Sequence, residues 1–145
     1  MAKFIFHTDN CLFALAANQE ALDKLNIIQS QYTIVDGSDD LFNKVRLNKS
    51  WVQFDGTNII ENSFLLPGEV SRRPFMTESN LKNYIDQIKN IINYYLQSNT
   101  STEIKNYLTF IESIQTSSIS FPMTQTFEEY VESQGITAIN SLQIR

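Results

Sequence analysis

From Asn80 to Ser98 the chain reads NLKNYIDQIKNIINYYLQS, and its apolar residues recur at the three- and four-residue spacing of a helix. At about 100° per residue, Leu81, Tyr84, Ile85, Ile88, Ile91, Ile92, Tyr95 and Leu96 fall in an arc of about 140°. That arc is wider than a two-stranded coiled-coil seam and suits a helix lying on a globular core. Thr77 precedes it as an N-cap, with Glu78 in the first turn. A second amphipathic helix is expected over 102–116, with Ile104, Tyr107, Leu108, Ile111 and Ile114 inward. The short polar link SNTS makes an antiparallel helical hairpin the simplest arrangement of the two.

The N-terminal half has a different rhythm. KFIFH (3–7) and YTIV (32–35) read as short strands. Asn18 caps a short helix, NQEALDKL, with Leu22 and Leu25 facing in. Asp36-Gly37 reads as a turn, after which Ser38 caps a two-turn helix that carries Asp39 and Asp40 at its start and buries Leu41, Phe42 and Val45. In SWVQFDGTNIIEN, Asp55-Gly56 fits a two-residue type I′ hairpin turn between strands 51–54 and 57–60. The stretch FLLPGEVSRRPF, with two prolines and a glycine, marks a linker, placed at 67–76. After the helical hairpin, SSISFPMT is irregular or extended. Thr126 to Glu129 forms a capping box for a short helix that Gly135 ends. The tail keeps Ile136, Ile139, Leu142 and Ile144 and is expected to pack down.

These elements imply an α+β chain. Residues 1–66 form a small sheet with short helices, and residues 77–145 form a helical hairpin with a C-terminal wrap, with or without one shared core.

Charge and chemistry narrow the class. The net charge is -5, and the densest basic stretch, Lys44, Arg46 and Lys49, lies close to Asp39 and Asp40. From Asn106 onward Arg145 is the sole basic residue. Phosphate backbones need clustered Lys and Arg, so no nucleic-acid partner is expected. No apolar run approaches the roughly 20 residues of a membrane span, and MAKFIFHTDN is too short and polar for a secretory signal. Cys11 is the single cysteine and His7 the single histidine. A disulfide within the chain is impossible, and a zinc site would have to lean on carboxylates. Cys11, beside Leu12 and Phe13, reads as a small core residue, and His7 as a structural histidine in a strand. The pairs Asp39-Asp40 and Glu128-Glu129 sit where a helix N-terminus favours acids. DGSDD lacks the register of a calcium loop, and nucleotide-binding glycine motifs are absent from the sequence. No catalytic residue, cofactor or metal is therefore expected.

What remains is apolar surface. Tyr94 lies about 130° from the centre of the first helix's stripe, and Phe110 is similarly displaced on the second. Either the C-terminal segment covers them, the favoured arrangement, or another chain does. Trp51 on the hairpin carries the same ambiguity. Arg72 and Arg73 beside Phe75 could anchor a partner, because Arg and aromatics form interface hot spots.

The stretch YTIVDGSDDLFNKVRLNKSWVQFDGTNIIE runs strand, acidic helix start, short helix, then strand-turn-strand around Asp-Gly. It resembles the small accessory proteins of tailed bacteriophages, including tail-fibre assembly chaperones, in which a β-rich N-terminal part often precedes a helical C-terminal part. Those chaperones commonly end near a Trp-Pro element, whereas Phe121-Pro122 is followed here by more than twenty further residues. The Asn- and Ile-rich composition is similar to that of small virion proteins from AT-rich phages. The resemblance covers about a quarter of the chain and carries no functional residues across. It implies a non-enzymatic structural protein of a virion, assembled in the host cytoplasm, such as a capsid decoration, neck or tail accessory subunit. Its partners would be other subunits or further copies of itself. The alternatives are a tail-fibre assembly chaperone that does not stay in the particle and a small enzyme of unrecognised class.

Overall fold

The computed structural model describes residues 1–63, 77–98 and 101–144. The chain is α+β, with two small antiparallel sheets and five α-helices among the described residues. It divides into two compact units, Met1–Phe64 with Leu142–Arg145, and Leu65–Ser141.

In the first unit, β1 (Ala2–Phe6) lies between β2 (Leu12–Ala16) and β3 (Thr33–Gly37), both antiparallel to it. Strand β1 is apolar almost throughout because both of its faces are covered. Ala2, Phe4 and Phe6 alternate toward one cluster, which adds Leu15, then Phe42 and Val45 from α2 (Asp39–Arg46) and Val52 from β4 (Ser50–Phe54). Ile5 faces the opposite cluster with Ala14, Ala16 and the inward Leu22 and Leu25 of the α1 region (Gln19–Lys24). Both helices start where the sequence places them. Asn18 accepts from the Ala21 amide at 2.8 Å, and Ser38 accepts from the Leu41 amide at 3.1 Å.

Two Asp-Gly pairs behave differently from the sequence expectation. Asp36-Gly37 is not a turn: both residues belong to β3, opposite Lys3 and Ala2. Gly37 is required by a close approach, since a Cβ there would lie 2.3 Å from Cε2 of Phe4. Asp55-Gly56 does lie in the β4–β5 connection, but β5 is Ile59–Ser63 and Phe54 pairs with Ile59. The loop therefore spans four residues, 55–58, rather than two. Asp55 closes it by accepting from the amides of Asn58 at 2.6 Å and Thr57 at 2.8 Å, and Gly56 takes φ +99°. A side chain that caps the loop locally favours it over the tighter I′ turn.

Strand β2 has no counterpart in the sequence expectation. Its register with β1 shifts between Ile5 and Phe6, a bulge that places Phe13 with the α1-side cluster.

In the second unit, Thr77 caps α3 (Glu78–Leu96) and Ser101 caps α4 (Thr102–Ser113). These two helices pack against each other. Leu81, Ile85, Ile88 and Ile92 are the buried residues of α3, a narrower strip than the eight-residue stripe. Tyr84, Tyr95 and Leu96 are half-buried at its borders, and Ile91 is exposed. Helix α4 ends three residues earlier than expected, and a 3-10 turn follows at Thr116–Ser118. Helix α5 (Phe127–Ser133) opens on the expected capping box of Thr126 and Glu129. It closes with Gly135 donating to the Glu132 carbonyl and Ile136 to the Val131 carbonyl, the hydrogen-bond pair of a Schellman motif.

Candidate functional site

Helix α3 contributes the most exposed aromatic side chain of the described residues. Tyr94 is 77% exposed, and Ile91, one turn before it, is 36% exposed. The expectation that the C-terminal segment covers Tyr94 is therefore not met. Residues Leu142 to Ile144 belong to the first unit instead, where Leu142 packs against the Phe4–Phe42 cluster and Ile144 is buried. Ile136 and Ile139 are half-buried within the second unit. Phe110, on α4, is half-buried. Trp51 is half-buried on β4, opposite Asn62 of β5. Arg72, Arg73 and Phe75 lie outside the described residues. Of the six residues singled out in the sequence, Tyr94 alone is an exposed large apolar side chain among those described.

A second group sits at the β1–β2 turn. The His7 ring stands edge-on to Phe13, with centroids 4.8 Å apart, and tilts toward Tyr32 at 5.7 Å. Phe13 and Tyr32 stack at 4.7 Å. The bulge that turns Phe13 to this face makes the trio, and no sequence spacing announces it. Cys11 is exposed, contrary to the core placement expected, because the turn holds it at the surface. Asp9 accepts from the Cys11 amide at 3.0 Å, which lowers the Asp9 pKa. The nearby Asp9 carboxylate in turn raises the pKa of the Cys11 thiol. A nucleophilic cysteine needs the reverse.

The acidic pairs separate as well. Glu129 completes the capping box, while Glu128, its neighbour, is buried at 1% exposure and accepts a hydrogen bond from the Tyr84 hydroxyl. Tyr84 also stands edge-on to Phe127 at 5.5 Å, so a polar and an aromatic contact from the same side chain help tie α3 to α5. The N-terminal position of Glu128 is legible in the sequence; its burial is set by α3 and is not.

Two of the clefts among the described residues open on the second unit. One, of about 490 Å³, is lined by Glu103, Asn106, Tyr107, Ile136, Thr137 and Ile139 among others. The other, of about 380 Å³, is lined chiefly by hydroxyl and amide side chains, with Tyr130. Among the described residues, neither lining contains a His, Cys, Lys or Arg. Among the described residues, no group of three or more His, Cys, Asp or Glu side chains is placed to hold a metal ion, and no helix is long and apolar enough to cross a membrane. The basic stretch of α2 is partly neutralised, with Lys44 3.5 Å from Asp40 and 3.6 Å from Glu61. Compared with known proteins, the chain matches no family model, no curated protein and no solved structure.

Proposed function

We propose that this chain is a non-enzymatic structural or interaction protein, a component of a bacteriophage virion such as a capsid decoration, neck or tail accessory subunit. The observation that carries the interaction half is the exposed Tyr94 with Ile91 beside it on α3. An aromatic and an aliphatic side chain side by side in water form the kind of patch that protein partners cover. The raised pKa of the Cys11 thiol supports a non-enzymatic reading, because it opposes covalent catalysis by the one cysteine. The virion half rests on the resemblance of the stretch that folds as β3, α2, β4 and β5. Partners are then other protein subunits of a particle. Mass spectrometry of purified particles tests it: a virion subunit is present in stoichiometric amounts. Presence in infected-cell lysate with absence from the particle would point instead to an assembly chaperone.

A further inference from the structure

Helix α3 sorts its exposed surface by charge. Its four charged residues, Glu78, Lys82, Asp86 and Lys89, fall within about 80° of one another at about 100° per residue. They close among themselves, Lys82 on Glu78 at 2.9 Å and Lys89 on Asp86 at 3.8 Å. A separate exposed sector, about 100° wide, holds Asn80, Asn83, Gln87, Asn90, Ile91 and Tyr94 and carries no charge along the helix. Surfaces of this make-up, depleted of charge and carrying an aromatic, are those that proteins bury against one another.

From this segregation we infer that the neutral face of α3 pairs with the same face of a second copy of this chain. The inference rests on the interaction reading above and names its partner. Three observations select a second copy. The chain carries a net charge of -5, so a charged contact face would add local like-charge repulsion between two copies, which the neutral face of α3 does not. A primary amide both donates and accepts, so a face studded with Asn and Gln is complementary to itself, as a carboxylate or ammonium face is not. Ile91 and Tyr94 are one turn apart, and a two-fold axis between them sets Ile91 of each copy against Tyr94 of the other in an antiparallel crossing. That is the isologous contact of a symmetric dimer. One helix–helix contact buries less than the roughly 800 Å² per partner of a standard interface. The pairing is accordingly weak in dilute solution and strengthens where an assembly holds copies close together.

Sedimentation equilibrium of the full chain, from micromolar to millimolar concentration, tests the pairing. The expected result is a monomer–dimer equilibrium that either Ile91→Glu or Tyr94→Lys weakens by about tenfold or more. Circular dichroism shows whether each variant keeps its helices. Mixing the two variants should restore dimer, because the introduced carboxylate of one chain meets the introduced ammonium of the other. A wild-type chain that stays monomeric at millimolar concentration overturns the pairing. So does a dimer indifferent to both substitutions, or a pair of folded variants that fails to associate on mixing. A monomeric chain present in purified particles sinks this inference and leaves the virion reading standing. A self-pairing chain absent from particles does the opposite.

Discussion

Gly37 shows how one residue can be legible in kind and misread in role. Asp-Gly signals a turn by propensity. The structure uses the glycine for its missing side chain, because the Phe4 ring occupies the space where a Cβ would stand, at 2.3 Å. Gly37→Ala gains at most about 1 kcal/mol from a stiffer unfolded chain. The ring it displaces is fully buried, and overpacking of that kind costs about 1–3 kcal/mol. A lower melting temperature is therefore expected, and an unchanged one would show that the Phe4 ring can move aside freely. Asp55 is a different case. Its carboxylate accepts first from the Asn58 amide and then from the Thr57 amide, which holds its pKa below the usual value of 3.8. A carboxyl with a depressed folded pKa stabilises the fold above its unfolded pKa, and that contribution is lost as pH falls through the folded value. Asp55→Asn keeps an acceptor and loses the charge. The variant should be less stable than wild type at neutral pH, and the gap should close below pH 3.8 as the wild-type carboxyl protonates. Thermal melts of both proteins across that range check the sign.

Elements were legible in the sequence where their determinants are local. Asn18, Ser38, Thr77 and the Thr126–Glu129 box all cap the helices their spacing announces, since a cap is decided within four residues. Strand β2 and the β4–β5 register were not, because pairing is decided by a distant strand and by one loop side chain. The helical stripe falls between these cases. Periodicity gives the face of α3 but not how much of it the neighbours reach. Ile88, 3% exposed, and Ile91, 36% exposed, are one turn apart in the same stripe. Ile88→Ala should cost about 2–4 kcal/mol, the usual range for deleting a core side chain. Ile91→Ala should cost about 1 kcal/mol or less, as at other half-solvated positions. Chemical denaturation of the two variants side by side checks the contrast, and equal losses would contradict the burial. The tie between α3 and α5 has its own test. Tyr84→Phe removes the hydroxyl that donates to the buried Glu128, and the loss of that one hydrogen bond should cost about 1 kcal/mol; an unchanged midpoint in chemical denaturation would show that the bond contributes nothing in solution.

At the scale of the whole molecule, the chain crosses from one compact unit to the other and returns: Leu142–Arg145 belongs with Met1–Phe64. The apolar tail was readable as packed, since Leu142 and Ile144 need burial, but its destination was not, because hydrophobicity carries no address. Leu142 packs against the cluster of Ala2, Phe4, Phe6, Leu15, Phe42, Val45 and Val52, and Ile144 is 4% exposed. These two side chains tie the segment that follows Ser141 to the first unit. Removing the chain after Ser141 exposes that cluster and should destabilise the first unit. The sequence supplies a selective probe, because Trp51 is the only tryptophan and lies on β4, whose Val52 is part of the same cluster. The truncated protein should lose its Trp51 fluorescence transition at a lower temperature than the full chain. Restoring the four residues with Leu142→Ala and Ile144→Ala should reproduce most of the shift, which separates lost packing from the mere loss of chain length. If the Trp51 transition stays where it is in both variants, the tail contributes nothing to that core, and Leu142–Arg145 does not belong to the first unit in solution.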